Sequence, residues 1–143
     1  MPRSKRNYNL NNYYHLYNRG NRKQQVFFDD EDYQTFLDDI YFYANLYKVQ
    51  IHAHCLMPNH FHLAVRSLFV ARNISRVMQS AMTKFCVYSN QKYREVGSTF
   101  QGTYKHTVID DEYAFNRLIR YFKNNPVEAG MVKKGEYYKW LKV

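Results

Sequence analysis

Apolar and polar positions recur along this chain with two different periods, and the switches between them outline its elements. Tyr13–Arg19 (YYHLYNR) has the aromatic richness of a strand and is closed by Gly20. From Asp29–Asp30 the period lengthens, with Tyr33, Phe36, Leu37, Ile40, Ala44 and Tyr47 on one face of a helix. The acids at its start suit the positive end of the helix dipole and read as caps. Val49–Met57 predicts a strand, Pro58–Asn59 a tight turn and His60–Arg66 the returning strand. Ile74, Val77, Met78, Ala81, Phe85 and Tyr88 repeat the spacing of the first helix. The pattern breaks around Gly97–Gly102, and Tyr104–Ile109 predicts a further short strand. Asp110–Asp111 then opens a third helix, which Pro126 and Gly130 bring to a stop.

The resulting order, β-α-β-β-α-β-α, predicts an α+β, ferredoxin-like (RRM-like) sheet with one additional C-terminal helix. No linker, repeat or composition break divides residues 1–143, so a single domain is expected. No uncharged apolar run reaches the roughly eighteen residues of a membrane span. The basic opening MPRSKRNYNLNNYY lacks the apolar stretch and cleavage site of a signal peptide. Cys55 and Cys86 show no framework spacing and read as thiols of a reducing cytoplasm.

Charge changes the picture more than composition does. Lys and Arg number 21 against 12 Asp and Glu, a net charge of +9. Half of the acids fall between Asp29 and Asp39, and none lies between Ile40 and Arg94. That stretch carries Lys48, Arg66, Arg72, Arg76, Lys84, Lys92 and Arg94. A long carboxylate-free basic region favours a polyanionic partner, because each neutralised phosphate releases counterions. The plainer account is a basic surface that aids solubility. Fifteen tyrosines supply flat faces on which unpaired bases stack, although many are needed for the core.

Four of the six histidines fall in IHAHCLMPNHFHLAV. On a strand, His60, His62 and Ala64 share one face while Phe61, Leu63 and Val65 take the other. That leaves two imidazoles a pleat apart, a pair suited to one divalent ion. His52 and His54 share the alternation of the preceding strand and are expected on one face, with Cys55 on the opposite one. A structural zinc site from these residues lacks the second cysteine pair that usually marks one. On the third helix, Phe115, Leu118, Ile119 and Phe122 form the apolar stripe. Tyr121 lies roughly 110° from the centre of that stripe at about 100° per residue. Asn125 and Arg117, one turn to either side, line the same flank. On spacing alone, a boundary tyrosine followed by a C-terminal asparagine is the simpler account.

A chemistry exists that would use these parts together. A tyrosine hydroxyl ionises near pH 10 and attacks poorly at neutrality, unless a partner neutralises the phosphate it attacks. A His-held Mg²⁺ or Mn²⁺ would do so, and attack would store the bond energy in a phosphotyrosine. Two-metal nuclease chemistry wants several converging carboxylates, which the histidine region lacks, and no nucleophile elbow is present.

Four segments carry a resemblance to a known family: YHLYNRGN, CLMPNHFHLAV, FQGTYK and LIRYFKNNPVEAGMV, in family order over almost the whole chain. Together they resemble the REP-associated tyrosine transposases, within the single-tyrosine transposases marked by a His-hydrophobic-His motif. The resemblance implies a cytoplasmic, nucleoid-associated bacterial enzyme, monomeric or homodimeric. Its implied substrate is single-stranded DNA beside hairpin repeats. It implies that His60 and His62 bind the metal, that Tyr121 is the nucleophile and that Asn125 completes the metal site. Cleavage would leave a 5′-phosphotyrosine and a 3′-hydroxyl. Asn18, Arg19 and Asn21 with the adjoining Arg22, and Gln101, Tyr104 and Lys105, match segments expected near DNA, with Arg117 on the flank of the third helix. Lys123 stands where many relatives have histidine.

The competing reading is a non-catalytic module gripping single-stranded nucleic acid by stacking and charge; a third is a small zinc-stabilised structural protein. The charge pattern itself has a testable consequence. Binding of single-stranded hairpin DNA should weaken steeply with salt, by a log–log slope of about 0.7 per neutralised phosphate. A flat response in fluorescence anisotropy would remove the basic surface as the DNA track.

Overall fold

The computed structural model describes residues 6–143, so the first five residues of the basic opening lie outside the described part. Its elements are β1 (Tyr13–Arg19), α1 (Asp30–Leu46), β2 (Val49–Met57), β3 (His60–Ser67), α2 (Asn73–Tyr93), β4 (Lys105–Ile109), α3 (Glu112–Glu128) and β5 (Leu141–Lys142). The sheet runs β4-β1-β3-β2-β5 with every neighbouring pair antiparallel. This is the expected ferredoxin-like arrangement, with α3 added and a two-residue edge strand that no periodicity announced.

The acids at the helix starts are caps. Asp29 Oδ1 accepts from the Asp32 amide at 3.0 Å, and Asp111 Oδ1 from that of Ala114 at 2.7 Å. The stop expected at Pro126 falls later: α3 runs through it to Glu128, and Gly130 at φ 74° ends the turn. Pro126 lacks only the one amide that would have bonded the carbonyl a turn earlier, and its ring is buried against the sheet side of the helix.

One face of the sheet makes the main core. Tyr14 and Leu16 of β1, Leu56 of β2 and Phe61, Leu63 and Val65 of β3 lie buried beneath α1 and α2. Phe36 of α1 contacts Phe61 at 4.9 Å and Phe85 of α2 at 5.3 Å between ring centroids. Each such side chain contributes about 1.5–3 kcal/mol by leaving water.

Two cations of the carboxylate-free stretch are occupied inside this layer. Lys92 lies 2.7 Å from Asp29 and 3.0 Å from the fully buried Asp32, and Lys84 lies 3.5 Å from Asp39. Asp32 also accepts from Tyr93, Tyr88 and the Phe28 amide. The acids of α1 therefore clamp the far end of α2, and those two lysines are not part of a free basic surface. At the other edge Trp140 stacks on Tyr33 (4.8 Å, 6°), and the Tyr138 hydroxyl donates to the Leu56 carbonyl at 2.6 Å. These contacts seat β5 beside β2.

The expectation that His52 and His54 share a face is wrong. A bulge between Ile51 and Ala53 inserts one residue, which reverses the side assignments on either side of it. His52 lies against Phe115 of α3 at 4.8 Å, whereas His54 faces α1 with Nδ1 2.9 Å from the Tyr41 hydroxyl. Cys55, paired with His62, is opposite His54 but on the side of His52. Both cysteines are free, Cys55 buried and Cys86 half-buried.

Burial, aided by the positive Lys142, pushes His54 down to about 4. In the unfolded chain a histidine titrates near 6.5, so below that pH the unfolded state binds the extra proton. Stability from this group is full above 6.5 and is lost as pH falls toward 4. The expected loss is about 2 kcal/mol between roughly pH 7.5 and 4.5. Urea unfolding of wild type and His54→Gln across that range should show the wild type's advantage shrinking on acidification. A constant difference would mean that His54 takes up its proton in the fold as readily as in the unfolded chain.

Candidate active site

The second face of the sheet is built by the same alternation. Opposite the apolar Phe61 and Leu63, β3 presents His60 and His62, and β1 adds His15, Tyr17 and Arg19, with Tyr17 paired to His62 and Arg19 to His60. Helix α3 crosses this face and is held by Phe122, which is fully buried with its ring 5.6 Å from those of both His15 and His62. With Phe122 inward, the preceding residue is turned about 100° toward the open end. That residue is Tyr121, its ring 5.3 Å from His62 and 47% exposed. Asn125, one turn further on, brings Nδ2 to 3.1 Å from His62 Nε2.

Each of the two histidines has a hydrogen-bond partner on its inner nitrogen, Nδ1. Nδ1 of His60 is 2.7 Å from Asn59 Oδ1, an acceptor, so the proton sits there and Nε2 keeps its lone pair. Nδ1 of His62 is 2.9 Å from Nε2 of His15. Burial pushes His62 down to about 3, helped by the neighbouring imidazoles, and His15 down to about 4. Burial lowers His60 as well, against the opposing pull of the nearby Asn125 amide, which favours the protonated ring. All three rings are therefore neutral at physiological pH. Among the described residues no three His, Cys, Asp or Glu side chains are arranged to hold one metal ion. The third donor within reach is the amide of Asn125, and two imidazoles with an amide oxygen fit a divalent cation better than a structural zinc.

Around this cluster the walls are basic. A cleft of about 290 Å³ is lined by Tyr17, Asn18, Arg19, His60, His62 and Lys105, without a carboxylate. Arg19 Nε donates to Gln101 Oε1 at 2.7 Å, and Asn18, itself buried, donates to the Gly102 carbonyl at 3.2 Å. Asn21 and Arg22 lie exposed on a single 3₁₀ turn, Asn21–Lys23, beside the β2–β3 hairpin. Gly20 closes that turn through its amide to the Asn59 carbonyl (2.8 Å), and a Cβ there would sit 2.0 Å from the Gln24 carbonyl oxygen. Arg22 and Lys23 both take positive φ, 56° and 61°, which costs about 1 kcal/mol or more apiece in non-glycine residues.

Two of the residues expected near DNA stand apart from the cleft. Tyr104 is 7% exposed, its hydroxyl 2.7 Å from that of Tyr8 on the α2 side of the sheet. Arg117 reaches back over Tyr113 at 5.9 Å. Conversely, His15 and Asn59 were not singled out by the sequence. The signal for His15 was present, since it falls in register with Tyr17 and Arg19 on β1.

The sequence profile of the IS200-like transposases matches residues 8–125, a span that includes every residue of the cleft and ends on Asn125. The chain belongs to the IS200-like transposase family. Membership places it among DNA transposases. Among solved structures, the REP-associated tyrosine transposase bound to a REP hairpin superposes with a TM-score of 0.80 at 18% identity, covering 99% of this chain and 82% of that one. A candidate transposase from Deinococcus radiodurans R1 gives 0.55 at 16% identity, over 87% of this chain and 95% of that one. At these identities the likeness speaks for the fold. None of the curated proteins matches significantly. Among the described residues of this transposase, no helix is long and apolar enough to cross a membrane.

The rotational setting of α3 can be tested by a pair of substitutions. Phe122→Ala should cost about 3–5 kcal/mol in urea unfolding, because it empties a fully buried site. Tyr121→Ala, half exposed, should cost less than about 1 kcal/mol. Equal costs would mean that α3 is rotated away from this setting.

Proposed function

We propose that this IS200-like transposase is a divalent-metal-dependent single-stranded DNA endonuclease and strand transferase. It cuts and rejoins DNA beside hairpins through a covalent 5′-phosphotyrosine on Tyr121. The observation that carries the reading is the convergence of an accessible phenol and an amide on His62, which with His60 lines a carboxylate-free cleft.

His60, His62 and Asn125 would hold Mg²⁺ or Mn²⁺, with the Asn125 amide turned so that its oxygen faces the ion, a simple exchange of the two ends of the amide. When bound, such an ion supplies Lewis-acid polarisation and neutralises charge on the scissile phosphate. Arg19 and Lys105 on the cleft walls bind the flanking phosphates and set the strand's register. Asn18, through its bonds to the Arg19 amide and Gly102, keeps the wall in shape. Asn21, Arg22 and Gln101 extend the same basic rim. Phe122 fixes the helix so that the Tyr121 oxygen meets the strand from the open side.

In the forward step the Tyr121 oxygen bonds to phosphorus as the P–O3′ bond breaks. The phenolic proton is released and the departing 3′ oxygen takes one up, giving a free 3′-hydroxyl. Rejoining reverses this, a 3′-hydroxyl attacking the phosphotyrosine and the phenol regaining its proton. The phosphodiester energy is conserved, so no nucleotide triphosphate is consumed. One chain supplies the whole residue set here, so catalysis by a monomer is consistent with the geometry. The hairpin preference is carried over from the neighbour solved with a REP hairpin; the fold's exposed basic turn beside the cleft suits such a substrate.

Single-stranded hairpin oligonucleotides incubated with Mn²⁺ or Mg²⁺ should give an SDS-resistant protein–DNA band with wild type, lost on chelation and absent in Tyr121→Phe. A band that persists in the mutant moves the nucleophile to another tyrosine. Tight binding with no band on any oligonucleotide would favour the non-catalytic module.

A further inference from the structure

We infer that His15 is a positioning residue for the metal site: its Nε2 accepts the Nδ1 proton of His62 and so fixes the tautomer in which His62 Nε2 faces the cleft as a lone pair. The inference rests on the reading of His62 as a metal ligand.

The geometry forms one continuous chain across the sheet face. Asn125 Nδ2 lies 3.1 Å from His62 Nε2, and His62 Nδ1 lies 2.9 Å from His15 Nε2. While Asn125 presents its amide nitrogen, before turning its oxygen to an ion, Nε2 of His62 accepts, so the only proton of the ring is on Nδ1 and His15 is the acceptor. His15 is itself held in place by aromatic rings, with Tyr17 at 4.7 Å and Phe122 at 5.6 Å. Its ring therefore cannot swing away without disturbing the seat of α3.

A metal-ligating histidine usually gives its second N–H to a carboxylate, a backbone carbonyl or water. Here a neutral imidazole takes that place. A carboxylate would offset part of the ion's charge and repel the phosphate that has to approach. His60 follows the same rule with the neutral Asn59 amide as acceptor. Both histidines are thus oriented without adding negative charge to a cleft meant for a polyanion. A packing role alone would require the shape of His15 but not its nitrogen, and this difference is measurable.

The test compares wild type, His15→Phe and His15→Gln, all free of DNA. Long-range ¹H–¹⁵N correlation spectra of the metal-free proteins report which nitrogen of His62 is protonated. Mn²⁺ titration by calorimetry reports affinity. We expect the Nδ1–H tautomer of His62 in wild type and a mixture with Nε2–H in His15→Phe. Mn²⁺ binding should be about 10–100-fold weaker in His15→Phe, with much of the loss recovered in His15→Gln, whose side-chain oxygen can accept. A wild-type His62 protonated on Nε2, or a His15→Phe protein with unchanged tautomer and affinity, would overturn the inference. Absence of Mn²⁺ binding by the wild type would instead defeat the metal reading, leaving the spectra to decide whether His15 sets the tautomer. If His15→Phe does not fold, the wild-type spectrum and His15→Gln decide the question between them.

Discussion

The burial of Phe122 between His15 and His62 is the contact on which the candidate site depends. It is the one fully buried aromatic of α3, and it seats the helix on a sheet face where the histidines lie beside the small apolar Ala53, Cys55 and Ala64. Phe115, Leu118 and Ile119 also pack on the sheet, but Phe122 is the contact that lies between the histidines themselves. With it, Tyr121 and Asn125 have no freedom of placement, because their angles around the helix follow from the position of their neighbour. Packing thereby sets the geometry of groups that are themselves poorly packed.

Burial also sets the protonation of the site. Placing two imidazoles on one cleft, with a third buried behind them, would be costly if they were charged, and no carboxylate lines the cleft to stabilise the cations. They stay neutral, which is the state that offers lone pairs. Positive charge is kept to the rim, in Arg19, Lys105 and Arg22, where water still solvates it. Most acids of the chain lie elsewhere, at the starts of α1 and α3 and along α1, where they clamp α2.

Much of this was legible from the residues. Both helices of the main layer followed from their apolar spacing, since every position on those stripes is buried or half-buried. The His60/His62 pair and the flank of Tyr121 followed from strand and helix periods in the same way. What escaped had no periodic signature. The bulge at His52 breaks the alternation by one residue and leaves no mark in composition. β5 is too short to show a pattern, being held by Trp140 and Tyr138. Lys84 and Lys92 looked like part of a basic surface because their partners on α1 are distant in sequence. Tyr104 matched a segment expected near DNA but points into the opposite layer, a matter of pleat that a motif does not encode.

The strap that ends in β5 bears on how the folded chain avoids its own copies. β2 is nine residues long, and its outer edge would otherwise offer a ladder of unpaired amides and carbonyls to any extended strand. Two residues of β5, with Lys142 among them and Trp140 locked onto Tyr33, interrupt that ladder and set a charge beside it. Loss of the last few residues would leave the candidate site on β1, β3 and α3 in place while exposing a template for edge-to-edge aggregation, so the edge of the sheet guards solubility while its central strands carry the candidate chemistry.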